Sequence, residues 1–253
     1  MRTGDIKTPA LIADSKILEA NISTMASRRP GKSLRPHIKA FKSTELAKKL
    51  VQAGHETFCC ATIRELEGMV DAGMGTDLLL ANETLDTTRL KNLLLKEKCR
   101  ITVAVDSKET IAVAAAAGIK EVLIDINVGL PRCGCSPEDA GFLADQARKS
   151  GLEIRGVMGY EGHLMHDPDT LRRTTKTEES MEILISAHET VGGDIISGGG
   201  TGTWDCNQVV TELQAGSYVL MDGDYSKLDL PFKEGLLLLL SLIHISEPTR
   251  PLY

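Results

Sequence analysis

Short apolar, β-branched runs alternate with longer segments of helical periodicity along nearly the whole chain, and this alternation constrains the fold more than any other feature. The runs that read as strands are 34–39, 57–61, 77–81, 101–106, 121–127, 154–160, 194–197 and 212–220. Between them lie helical segments such as 43–53, 64–72, 107–117, 137–150 and a long one around 178–191. Gly54, Gly73, Gly118 and Gly151 each follow a last helical turn, the signal of a helix that stops and returns to a strand. Such repetition implies a parallel sheet. Eight strands with intervening helices fit an α/β fold of the (β/α)8 TIM-barrel type, with an open doubly wound sheet as the alternative. A strand at 9–14 and a helix at 15–27 come before the first barrel strand and need a place outside it.

Composition narrows the function. The net charge is −6 with both signs interleaved, so no basic face points to nucleic acid. No apolar run, the five leucines 236–240 included, approaches the ~20 residues that span a membrane. Residues 1–8 carry charge and no apolar stretch, so they do not read as a secretory signal. The cysteines at 59, 60, 99, 133, 135 and 206 are too closely paired to make a disulfide framework, and they read as thiols of a cytoplasmic protein. Cys133 and Cys135 lack a second Cys or His pair at zinc spacing, so no metal site is expected from them.

In a barrel of this type the chemistry gathers where strands end and loops begin. Three constellations fall at such points. In the first, Arg35-Pro36-His37-Ile38-Lys39, strand alternation puts Arg35, His37 and Lys39 on one face. A lysine facing the interior beside other cations should have a lowered pKa, as an amine that attacks an aldehyde requires. Lys42 competes for this role, but it lies past the strand end where the pleat no longer fixes its direction. The second, Ser197-Gly198-Gly199-Gly200-Thr201-Gly202-Thr203, can bring consecutive N–H groups and hydroxyls to a phosphate. A lysine for an aldehyde and a cradle for a phosphate together point to pyridoxal phosphate. The third, 159–166, puts Tyr160, Glu161, His163 and His166 close together, offering a stacking surface and acid/base groups. Each of these could equally be an ordinary loop residue.

Taken together, these segments resemble the fold-type-III pyridoxal-phosphate enzymes, in the D-threonine aldolase and D-serine dehydratase-like branch of the alanine racemase superfamily. Further matching stretches are Thr8-Pro9-Ala10-Leu11, Leu80-Ala81-Asn82-Glu83, Asp125-Ile126-Asn127-Val128-Gly129 with Arg132-Cys133-Gly134, and 212–218, all in family order. The resemblance implies that Lys39 binds the cofactor aldehyde, with His37, Arg132 and Tyr160 near it. It implies that Gly200, Thr201, Gly202, Thr203, Gly216 and Ser217 hold the phosphate. It also implies a lyase acting on a D-β-hydroxy amino acid, with Glu161 and His163 as acid/base candidates. Where aldolase relatives often read Tyr-His-Gly or Tyr-Gln-Gly, this chain reads Tyr160-Glu161-Gly162. A racemase, or a non-catalytic protein that binds pyridoxal phosphate, is the alternative.

On this reading residues 1–33 lead into the barrel, 34–235 form it, and 236–253 hold the start of a second, β-rich domain followed by an artefactual tail from about Ser241. The family's divalent metal, zinc or manganese, takes ligands from that second domain, so none is expected in this chain. The full-length relatives are expected to be homodimers. The chain as it stands is expected to have little activity, and its strand 9–14 and its leucine run to be unpartnered.

Overall fold

A computed structural model describes residues 3–96 and 99–241; the expected tail lies, apart from Ser241, outside them. The expected alternation of strands and helices is present. In chain order the elements are β1 (Ala10–Ala13), α1 (Ser15–Arg28), α2 (Thr44–Gln52), β2 (Thr57–Cys60), α3 (Ile63–Asp71), β3 (Asp77–Leu80), α4 (Thr87–Leu94) and β4 (Ile101–Val105). They continue as α5 (Lys108–Ala117), β5 (Glu121–Ile126), α6 (Ala140–Lys149), β6 (Glu153–Gly159), α7 (Thr170–Val191), β7 (Ile195–Gly198), β8 (Glu212–Leu213) and β9 (Leu236–Leu239). The helices begin on hydroxyl or carboxylate caps: Ser43, Thr62 and Ser107 each accept a hydrogen bond from an N–H in the first turn. Gly118 closes α5 at φ 87°, a left-handed conformation that favours glycine.

β2 to β8 form one seven-stranded sheet in sequential order, every pairing parallel. The segment at 34–37 joins its two edges. Arg35 N donates to the Leu213 carbonyl at 2.9 Å and His37 N to that of Ala215 at 3.0 Å, while Cys59 N donates to Pro36 O at 2.9 Å. The ring is thereby closed, as a parallel TIM-like barrel.

Two expected strands differ in detail. Residues 34–39 pair only through bridges at Leu34 and His37, then turn through a 3-10 segment at Ile38–Ala40 that carries Lys39. β8 covers two residues of the expected 212–220, because the chain then turns through Gly216 into a 3-10 segment at Ser217–Val219. The expectation of an unpartnered N-terminal strand is corrected: β1 pairs antiparallel with β9, the leucine run, in the register Ala10↔Leu239 to Ala13↔Leu236. Pairing satisfies the backbone of both, although Leu11, Leu237 and Leu238 stay exposed. Among the described residues no helix is long and apolar enough to cross a membrane.

Period-two alternation stacks the lumen in layers. The middle layer is apolar, with Cys59, Leu79, Ala104, Leu123 and Met158 in one cluster. Burying a leucine such as Leu79 there contributes about 2 kcal/mol. Below it, at the strand starts, lies a charged floor. Arg35 donates to Glu212 at 2.8 Å and to Asp77 at 3.0 Å, and Arg155 reaches Asp77 at 2.9 Å. Arg100 pairs with Glu121 at 2.7 Å. Above the middle layer, at the strand ends, lies the mouth.

Candidate active site

One pocket at the mouth brings together eight of the residues expected there: His37, Lys39, Arg132, Tyr160, Gly200, Thr201, Gly216 and Ser217. They come from the first bridging segment, the loop after β5, the end of β6, and the turns after β7 and β8. Lys39 Nζ lies 5.3 Å from the centroid of the Tyr160 ring, and Arg132 Cζ lies 5.4 Å from the same centroid. Both cations thus border one aromatic ring. Among the described residues neither forms an ion pair with a carboxylate.

Electrostatics follow from this crowding. Burial, then the Arg132 cation, lowers the Lys39 pKa from its ordinary value. His37 is held well below the usual imidazole range, first by burial and next by Lys39. Its ring is therefore neutral near pH 7, and Nδ1 accepts from Lys39 N at the long distance of 3.5 Å. Lys42 points elsewhere: its ammonium is paired with Glu65, which also accepts from Ala61 N, and it borders a separate cavity with Ser43 and Thr62.

The glycine loop and the turn after β8 face each other across the pocket. A 3-10 segment at Thr201–Thr203 follows Gly200, and the one at Ser217–Val219 follows Gly216. The leading N–H groups of such turns have no acceptor within the turn. Those of Thr201, Gly202 and Ser217 find no other acceptor among the described residues. The two turns are tied by Thr201 Oγ1, which accepts from Tyr218 N at 3.0 Å. The glycines have a further cause that the sequence did not reveal. A Cβ on Gly202 would stand 2.1 Å from the Met165 carbonyl, and one on Gly216 would stand 2.2 Å from that of His37. Close backbone packing, as well as approach to a ligand, requires glycine there.

Four expected residues do not line the pocket. Gly202 and Thr203 follow Thr201 in the same 3-10 turn, and the Gly202 N–H remains without an acceptor. His163 is exposed and packs beside Gly129. Glu161 is fully buried beneath the glycine loop, with its hydrogen bonds satisfied inside the protein. Two polar side chains of the pocket, Gln214 and Tyr225, were not among the expected site residues. Tyr225 lines the pocket beside Ser217, and its ring lies 4.4 Å from that of His166. Its place in the Met221-Asp222-Gly223-Asp224-Tyr225 turn, where Asp222 accepts from Tyr225 N at 3.0 Å, was the only available signal.

Beside the pocket, ligand atoms of Glu83, Asp125 and Cys133 lie within 4.8 Å of one another, where no metal-binding set was expected. Burial, then the adjoining Glu83 carboxylate, pushes the Asp125 pKa well above the usual range. Burial likewise pushes the Cys133 thiol up to about 12, and Cys133 Sγ donates to Asp125 at 3.5 Å.

A closed parallel barrel with an amine and an array of N–H groups at its mouth defines a class, and residues 13–222 match the model of the alanine racemase N-terminal domain: the chain belongs to that family. It is 32% identical over 267 residues to D-threonine aldolase of Arthrobacter sp, covering 97% of this chain and 70% of that protein. It is 30% identical to 3-hydroxy-D-aspartate aldolase of Paracoccus denitrificans, of which it spans 64%. The crystal structure of D-threonine aldolase from Filomicrobium marinum superposes with a TM-score of 0.86 at 32% identity, over 93% of this chain and 70% of that one.

Proposed function

We propose that the chain is the cofactor-bearing barrel of a pyridoxal-phosphate-dependent lyase that acts on D-β-hydroxy amino acids, of the D-threonine aldolase or D-serine dehydratase type. The observation that carries this is one pocket lined by both a desolvated lysine and two turns with N–H groups lacking acceptors. An amine of lowered pKa suits an aldehyde, and the N–H array suits a phosphate, so the residues fit pyridoxal phosphate from both ends. Bound there, the cofactor supplies an electron sink for a bond breaking at the substrate Cα.

The chain's own residues do the rest. Lys39 is the amine that would hold the cofactor aldehyde. The N–H groups of Thr201 and Ser217, which line the pocket, would hold the phosphate, with that of Gly202 next to them in the same turn and Thr201 Oγ1 keeping the two turns together. Tyr225, beside Ser217 in the lining, walls the phosphate end. Tyr160 offers its ring between Lys39 and Arg132. Arg132 attracts the anionic part of cofactor or substrate, and its charge keeps Lys39 deprotonated more readily. His37, neutral and buried next to Lys39, holds or yields a proton at a ring nitrogen. His163 is a weaker candidate for that task from its exposed position.

The zinc or manganese that the resemblance attaches to this branch belongs to the proposal with ligands outside residues 34–235. Glu83, Asp125 and Cys133 offer three further ligand atoms within 4.8 Å of one another inside the barrel, and a cation bound there would displace the protons of the acid and the thiol. A cytoplasmic homodimer is likewise part of the proposal. The test is product analysis with a panel of D- and L-amino acids after loading with pyridoxal phosphate, with and without a chelator. Aldehyde and glycine, or a 2-keto acid and ammonia, formed from D-β-hydroxy amino acids alone, support the reading. Interconversion of D and L forms without cleavage contradicts it in favour of a racemase.

A further inference from the structure

Glu161 leaves β6 two residues after Gly159, and Gly159 pairs with Gly198 in the parallel register of β6 and β7. The carboxylate therefore comes to lie under the start of the glycine loop. It is fully buried, and its hydrogen-bond partners are uncharged donors from the loop and the segment just after it. Oε2 accepts from Gly199 N at 3.2 Å. Oε1 accepts from Thr203 Oγ1 at 2.8 Å and from Asn207 Nδ2 at 2.9 Å. Thr203 Oγ1 in turn accepts from Gly200 N at 3.3 Å, and Asn207 N donates to Thr203 O at 2.9 Å.

The consequence is a division of the loop's N–H groups. Those of Gly199 and Gly200 are drawn inward, directly and through the Thr203 hydroxyl. Those of Thr201 and Gly202 are left without an acceptor. We propose that Glu161 is a positioning residue whose carboxylate braces the glycine loop from beneath, so that Thr201 and Gly202 present their N–H groups to a phosphate. This rests on the reading of that loop as the phosphate holder. It replaces an acid/base role for Glu161, which does not reach the pocket.

The chemistry requires an acceptor at both oxygens. A glutamine keeps the shape but turns one oxygen into an NH2 group, a donor set against either Gly199 N–H or the Thr203 and Asn207 donors. A buried donor left facing another donor loses its bond and its solvation together.

Glu161→Gln and the wild-type chain are titrated with pyridoxal phosphate and with unphosphorylated pyridoxal, and the unliganded proteins are melted. The expected result is a pyridoxal phosphate affinity weakened by about tenfold or more, the scale of one lost hydrogen bond to a charged group. The affinity for pyridoxal should change by less than about twofold. Thr203→Val, which cuts only the indirect link to Gly200 N–H, should show the same phosphate-selective loss to a smaller degree, and it carries the test if Glu161→Gln does not fold. Equal weakening toward both ligands, or none, overturns the proposal. So does lost turnover at unchanged cofactor affinity, which would mark Glu161 as acting on substrate. A wild-type chain that binds both ligands equally well would instead overturn the phosphate reading itself.

Discussion

The two ends of the barrel handle charge in opposite ways. At the floor each buried guanidinium meets a carboxylate: Arg35 with Asp77 and Glu212, Arg155 with Asp77. Burial opposes the Asp77 carboxylate, but the hydrogen bond from Arg155 and the charge and hydrogen bond of Arg35 outweigh it and hold its pKa at about 2. At the mouth Lys39 and Arg132 share an aromatic ring and have no carboxylate partner among the described residues. One short segment supplies both ends, since Arg35 points down and Lys39, four residues on, points up. Paired charge closes the structure; unpaired charge is kept where a ligand is to supply the missing anion.

The largest effect should come from breaking the floor. Asp77→Asn leaves Arg35 and Arg155 short of a buried partner and should destabilise the fold by about 3 kcal/mol, read by denaturant unfolding. If the floor serves only closure, pyridoxal phosphate should still bind below the melting temperature. A variant as stable as the wild type would show that the floor network is ornamental.

A second effect is the floor's acid sensitivity. The folded-state pKa of Asp77 lies below its ordinary value of 3.8, so its contribution is fully present above that value and is lost as pH falls through about 2. Stability measured over that window should fall more steeply in the wild type than in Asp77→Asn. Parallel curves would contradict the assignment.

How far these two ends were legible in the sequence differs for a physical reason. Strands β2 to β7 were readable within a residue or so, because each is a short, largely apolar run, β2 to β4 buried throughout, followed by a turn or cap residue. Lys39, His37 and the glycine loop were readable as candidates because their residue types are unusual at strand ends. The floor was not, since nothing local tells Arg35 that it will meet Asp77 and Glu212, 42 and 177 residues away. Glu161 was misplaced for the same reason: its donors lie 38 to 46 residues downstream. The pairing of the leucine run with β1 joins the two ends of the described chain, and no periodicity announces it. The shortness of β8 comes from the close approach of Gly216 to the His37 carbonyl, a contact only the closed barrel creates.

The smallest effect should come from editing the mouth. After burial, Arg132 is the next cause of the lowered Lys39 pKa. Arg132→Met should therefore raise that pKa, and covalent capture of pyridoxal phosphate, which needs the neutral amine, should move to higher pH. The readout is the pH midpoint of the capture rate; a midpoint that stays put, or moves down, would mean that Arg132 does not act on Lys39.

The central claim, that Lys39 at the mouth carries the cofactor, is tested most directly by trapping. The chain is loaded with pyridoxal phosphate near neutral pH, reduced with borohydride, digested and mapped by mass spectrometry. A single modified lysine, Lys39, is expected, with Lys42 unmodified because it is paired with Glu65 and borders a separate cavity. Modification at Lys42, or adducts spread evenly over the exposed lysines, would contradict it.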